Sequence, residues 1–220
     1  HQDGSSHLVA ATIPNCKAYD PAYAGELAVI IDQGMREMLV EQQDVFYYLT
    51  LMNENYAQRD LPEGASAGVL RGAYRLQRIP GAATHKVTLL GSGAILTEVV
   101  KAAQQLAAEG FTVDVISVTS WSELARDGQA CEARALAGEP DPGTPWLTDL
   151  LADTEGPVIA ATDYVRAVPE SVRAWVPAGR RYLTLGTDGF GRSDTRAALR
   201  AFFGVDAAQV ARVARQVAGG

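Results

Sequence analysis

The run Val45-Phe46-Tyr47-Tyr48-Leu49-Thr50-Leu51-Met52 is almost wholly β-branched, aromatic or apolar, without the polar alternation that one wet face would impose. It reads as a strand covered on both faces, the condition of strands in a parallel sheet with helices on either side. Upstream, Asn15 to Tyr19 is a short strand, and Asp20-Pro21 opens a helix. There Asp accepts from free backbone N–H groups and Pro at the first helical position loses no hydrogen bond. Leu27, Ile30, Ile31, Met35 and Met38 then place one apolar face on a helix from about 21 to 40. One and a half βα units cannot close a core, so residues 1–55 read as the end of a domain whose larger part lies upstream.

The periodicity lapses after Tyr56, and the polar stretch Arg59-Asp60-Leu61-Pro62-Glu63-Gly64-Ala65 marks a linker over 56–72. Regular alternation follows over 73–220. Strands are expected at 73–78, 85–90, 113–118, 158–162 and 182–185. Helices are expected at 95–109, from about 122, at 146–152, at 165–176 with an interruption at Pro169, at 195–203 and at 207–217. The fold class is α/β, with a mostly parallel sheet in the second unit.

Composition narrows the function classes. Net charge is −7 with both signs interspersed, which argues against the basic stripe of a nucleic-acid surface. No apolar run approaches the roughly 20 residues of a membrane span. Cys16 and Cys131 are too few and too far apart for a disulfide framework or a zinc site, so both read as plain thiols, and the expected compartment is the cytoplasm. The opening His1-Gln2-Asp3-Gly4 has no initiator Met and no signal-peptide pattern, and reads as part of a longer protein.

Four segments carry candidate chemistry. Leu90-Gly91-Ser92-Gly93 joins a strand to a helix, where free N–H groups can cradle a phosphate. Leu96 breaks the dinucleotide fingerprint, and the tight-turn reading prevails. Thr187 to Asp194 lies at a strand's C-terminal end, where α/β sheets place their sites. Asp188 and Arg192 can pair there and Ser193 or Asp194 can cap the next helix, so both a structural loop and an interface or ligand loop stand. His1-Gln2-Asp3-Gly4-Ser5-Ser6-His7 admits a polar loop, a metal site, or an Asp–His pair in which His7 serves as acid, base or cation. Asn53-Glu54-Asn55 either faces a site or ends a ladder, the second reading being favoured, and His85 reads as a polar turn residue.

Several of these segments together resemble one family. The opening loop is similar to the Asp-Gly-x-x-His loop in the pyrimidine-binding domain of the transketolase superfamily. Thr12-Ile13-Pro14-Asn15-Cys16, Tyr19 to Ala24, Met52 to Tyr56, Ser117 to Ser120, Leu124 to Gly128 and Leu185 to Asp194 resemble homodimeric pyruvate dehydrogenase components. That resemblance implies a homodimer with active sites between subunits, decarboxylation of pyruvate on thiamine diphosphate with Mg²⁺, and transfer of the acetyl unit to the lipoyl domain of a dihydrolipoyl acetyltransferase. It makes 1–55 the end of the pyrimidine-binding domain and 73–220 a transketolase C-terminal-like domain. It implies that His7 is catalytic, an imidazolium on the substrate side of the cofactor, and that Asp3 orients it or contacts substrate. The residues holding diphosphate, metal and aminopyrimidine would lie upstream. Transketolase and a non-catalytic dimerisation module are the competing expectations, the first disfavoured by Leu8-Val9 where a Gln-Pro would follow the histidine.

Overall fold

The computed structural model describes residues 3–81 and 84–218; His1 and Gln2 of the opening motif lie outside the described residues. The order is α1 (Ser6–Ala11), β1 (Cys16–Tyr19), α2 (Ala24–Met35), a π-helical turn (Arg36–Val40), β2 (Phe46–Leu49) and α3 (Ser66–Arg71). Then come β3 (Ala73–Ile79), β4 (Lys86–Gly91), α4 (Ile95–Ala108), β5 (Thr112–Val118), α5 (Trp121–Leu136), α6 (Trp146–Leu151) and β6 (Val158–Ala161). The chain closes with α7 (Ala167–Glu170), a 3-10 turn (Arg173–Trp175), β7 (Tyr182–Leu185), α8 (Arg196–Phe203) and α9 (Ala207–Ala218).

The second unit is a five-stranded sheet in the order β3-β5-β4-β6-β7, parallel except for β3, which runs antiparallel to β5 at one edge. Its inner strands are covered on both faces, because successive side chains alternate and each side has its own helices. Val87, Leu89, Val113, Val115, Ile159 and Ala161 share one core with buried residues of α4 and α9. Leu90, Ile116, Val118, Val158 and Ala160 join the other core, with α5, α6 and Val168 of α7.

The first unit is only β1 beside β2, parallel, with Cys16 opposite Phe46 and Tyr19 opposite Leu49. The expected burial of this run on both faces is corrected here: Phe46 is 43% exposed, Leu51 60% and Met52 41%. The described chain supplies no further strand to flank β2. The apolar face expected on 21–40 is likewise half open, with Ile30 fully buried but Ile31, Met35 and Met38 exposed. That helix begins at Ala24 rather than at Pro21. Tyr23 is its cap, and the buried carboxylate of Glu26 accepts from the amides of Ala22 (2.6 Å) and Tyr23 (3.0 Å), from Tyr74 Oη (2.8 Å) and from Ser117 Oγ (2.5 Å).

The segment expected to be a plain linker over 56–72 ends in α3, packed against α2, β3 and α5. The helix expected at 165–176 is cut into α7 and the 3-10 turn. None of the described helices is long and apolar enough to cross a membrane.

Candidate functional site

The C-terminal ends of β4 and β6 mark the sheet's switch point, since β4 leads on to β5 on one side and β6 to β7 on the other. Ligands of open α/β sheets usually sit in the crevice such a reversal opens. Here the first unit fills it. The amide of Asp20, just past β1, donates to Thr119 O (2.8 Å), and the Asp20 carbonyl accepts from the Gly93 amide (3.0 Å). Ser92 and Thr162, facing each other across the switch point, lie 3.1 Å apart at their hydroxyls. Gly93 has φ +50°, and a Cβ there would fall 2.5 Å from Asp20 Oδ2. The Gly-Ser-Gly turn therefore closes around a carboxylate of its own chain, in agreement with the tight-turn reading.

Asp20 is 3% exposed. Burial pushes its carboxyl up to about 7, with the nearby Asp163 and Glu26 adding to the shift and hydrogen bonds from Thr50 and Ser92 opposing it. Thr50 Oγ1 donates to Asp20 Oδ1 at 2.8 Å and lies 2.8 Å from Nε2 of His7. His7 sits in α1, 4% exposed, its ring edge-on to Tyr164 (4.6 Å between centroids) and Tyr48 (5.6 Å). Burial lowers its pKa to about 4, against the opposing charge of Asp3. Burial thus favours the neutral imidazole in this chain, against the expected imidazolium.

Asp3 does not touch the His7 ring. Its carboxylate takes the place of a cap on α1, accepting from the amides of Ser6 (2.9 Å) and Ser5 (3.2 Å) and from the Ser6 hydroxyl. Burial alone would raise this acid, but those bonds outweigh it and hold it below the usual carboxylate range.

A cleft of about 330 Å³ with a mixed polar and apolar wall lies between the two units, its lining including Asp3, Met52, Asp163, Tyr164, Arg200 and Phe203. Tyr164 thus both meets the His7 ring and lines the cleft. His7 itself faces a smaller hollow of about 130 Å³ bounded by α1, α5 and the region of α7. Burial raises the Asp163 carboxyl, and the Arg200 cation opposes that shift. Glu54 reaches across to Arg200 (2.5 Å), which also meets Glu98 at 3.4 Å. Asn53-Glu54-Asn55, for which the end of a ladder is the favoured of two sequence readings, ties β2 to α8 through Glu54.

In the 187–194 loop, Asp188 pairs with Arg166 (2.7 Å) rather than with Arg192, whose guanidinium lies over the Phe202 ring. Thr195, not Ser193 or Asp194, caps α8. His85 stacks on Phe111, and both cysteines are buried free thiols.

Sequence reasoning singled out neither Asp20 as a site residue nor Thr50, Asp163, Tyr164 or Arg200. The available signal was positional: Asp20 and Thr50 are the polar residues that directly follow two adjacent parallel strands. Asp163 and Tyr164 come two and three residues after the end of β6.

These residues do not fit a diphosphate–metal group. Among the described residues no cluster of three or more His, Cys, Asp or Glu could hold a metal ion. The glycine-rich turn between β4 and α4 is occupied by Asp20.

Two families match in series. The pyruvate dehydrogenase E1 component middle domain covers residues 1–59, and the transketolase-like TK C-terminal domain covers 72–206. The chain is 53% identical over 209 residues to the pyruvate dehydrogenase E1 component of Pseudomonas aeruginosa, covering 94% of this chain and 24% of that protein. It is 48% identical over 224 residues to its counterpart in Mycobacterium tuberculosis, covering 100% and 24% respectively. The chain therefore spans about a quarter of the length of these relatives. A transketolase from Leishmania mexicana superposes with a TM-score of 0.67 at 20% identity, covering 100% of this chain and 28% of that one, a likeness of fold.

Proposed function

The chain belongs to the transketolase-like family, as a segment of the pyruvate dehydrogenase E1 type, and on that premise we propose that it works as the C-terminal quarter of an E1 component. The whole protein would decarboxylate pyruvate on thiamine diphosphate and reductively acetylate the lipoyl domain of a dihydrolipoyl acetyltransferase. It would do so as a cytoplasmic homodimer with active sites between subunits. In this reading residues 1–55 end the pyrimidine-binding domain, 56–72 connect, and 73–220 form the C-terminal domain. Thiamine diphosphate and Mg²⁺ would be held by residues outside this chain, so no step through them is assigned to it.

The observation that carries the reading is identity near one half over the whole chain, in both units and in order, against 20% for the transketolase fold match. The open faces of β2 and α2 accord with it, as surfaces the rest of the protein would cover. His7 is the catalytic candidate of this chain, and it acts as a neutral hydrogen-bonding imidazole, because its burial penalises charge. Asp3 serves it by holding the start of α1, and at the cleft rim it is the candidate substrate contact.

The test is turnover of the full-length protein on pyruvate and on ketose phosphates, with and without His7→Ala. Turnover of pyruvate alone is expected, and the variant should lose about 10²-fold, as when one preorganised acid–base or hydrogen-bonding group is removed. Turnover of ketose phosphates but not pyruvate overturns the reaction class. An unchanged His7→Ala variant removes His7 from the chemistry.

A further inference from the structure

His7, Thr50 and Asp20 form a continuous hydrogen-bonded line from α1 to the ends of β2 and β1, both junctions being 2.8 Å. A threonine hydroxyl has one hydrogen to give. When Asp20 is ionised it can only accept, so Thr50 donates to it and must in turn accept from the ring. The ring hydrogen then lies on Nε2, and Nδ1 carries the lone pair. We infer that Asp20 is a positioning residue for His7, setting through Thr50 which ring nitrogen carries the hydrogen. This rests on the assignment of His7 above and deepens it.

The surroundings hold Asp20 in that role. Its amide and carbonyl are both engaged, by Thr119 and Gly93, and only a residue without a Cβ can stand at position 93 beside its carboxylate. Thr50 is restrained as well, with Tyr19 O 3.4 Å from its hydroxyl. The Thr50 hydroxyl, which the Tyr164 side chain also hydrogen-bonds, is the group that joins the ring to the carboxylate, and its rotation transmits the state of one to the other.

Protonating Asp20 reverses the line. Its O–H then donates to Thr50, the Thr50 hydrogen turns to Nε2, and the ring hydrogen resides on Nδ1, with one proton taken up in total. The ionisable groups around the line are Glu26 from α2, Tyr56 beyond β2, Asp163 and Tyr164 beyond β6, Asp3 and Tyr48 near the ring, and Arg126 of α5 on the hollow that His7 faces. With Asp20 changing near 7 and His7 neutral down to about 4, the change near neutrality is one of tautomer rather than of ring charge.

The test uses the full-length enzyme with its cofactor, following kcat and KM for pyruvate against pH. Thr50→Val keeps the shape and removes the hydroxyl. It should lower kcat by about 10- to 100-fold with KM nearly unchanged, by analogy with partners that orient metal-bound histidines. It should also abolish the ionisation near neutrality, which Thr50→Ser restores and Asp20→Asn abolishes. In the His7→Ala background, Thr50→Val should cost nothing further. A Thr50→Val enzyme with wild-type kcat and pH profile overturns the inference, as does a full additional loss in the His7→Ala background or failure of Thr50→Ser to restore the profile. If instead His7→Ala alone is fully active, the assignment of His7 itself fails. That outcome is distinct from one in which His7 matters and Thr50 does not.

Discussion

The two sheets of this chain answer the same physical demand with opposite success. In the five-stranded sheet, β4 has a strand on each side and helices above and below, and Leu89 and Leu90 are fully buried on opposite faces. In the two-stranded sheet, β2 is as apolar as β4 but has one neighbour, and Phe46 stays 43% exposed. Strand character comes from local sequence, whereas burial requires partners on every side, and only the second unit contains enough of them. The first unit holds its place by leaning on the second. Asp20 plugs the switch point, Glu54 pairs with Arg200, and Arg126 of α5 donates to the carbonyls of Cys16 (2.5 Å) and Ile13 (2.7 Å).

The sharpest way to break this contrast is to damage the self-sufficient sheet. Gly156 has φ +75°, and a Cβ there would lie 1.9 Å from Lys86 O at the start of β4. Gly156→Ala should destabilise the chain by roughly 3 kcal/mol or more, from left-handed strain plus a backbone collision. Urea unfolding measures it, and a loss near zero would mean that β4 is less tightly held than its neighbours imply.

A paired truncation comes next in size. Leu89→Ala should cost about 2–5 kcal/mol, the range for emptying a closed core. Phe46→Ala in this 220-residue chain should stay within about 0.5 kcal/mol, as for a surface position. In the full-length protein the Phe46 cost should rise toward the Leu89 range. Equal small costs for Phe46 in both would deny that β2 is covered by the rest of the protein.

The smallest effect is a pair of opposed pH dependences where the two units meet. His7 has its folded pKa depressed from 6.5 to about 4. Its contribution is fully present above 6.5 and is lost as pH falls toward and through 4, because the unfolded chain binds the proton first. Asp20 has its folded pKa raised from 3.8 to about 7, so its contribution is present below 3.8 and is lost as pH rises through 7. Between about 4 and 6.5 the slopes oppose one another. Removing the carboxylate with Asp20→Asn should leave stability rising with pH in that window, and His7→Gln should leave it falling. Parallel profiles for the two variants would show that these groups do not titrate with folding as their burial requires.

Much of the fold was legible because it is local. Leu89-Leu90, Val113 to Val118 and Val158 to Ala161 announced strands by composition, and the apolar spacing of 95–108 announced α4. Boundaries moved where a side chain chose a different partner. Glu26 rather than Asp20 closes the first turn of α2, and Thr195 rather than Asp194 caps α8. The site was legible only in part. His7 and Asp3 stood out as residue types at a suggestive spacing, but that spacing implied a contact between them, whereas Asp3 bonds to Ser5 and Ser6 and His7 to Thr50.

What the sequence alone determined was the alternation of strands and helices and the family likeness, both of which are written in runs of neighbouring residues. Only the tertiary structure decided that Thr50, 43 positions from His7, is its hydrogen-bond partner, and that Asp20 fills the crevice where such sheets usually receive a ligand. It also buries the imidazole, which disfavours its charged form. Charge state and hydrogen-bond partner depend on how much water is excluded and on which distant group arrives, and neither follows from sequence spacing.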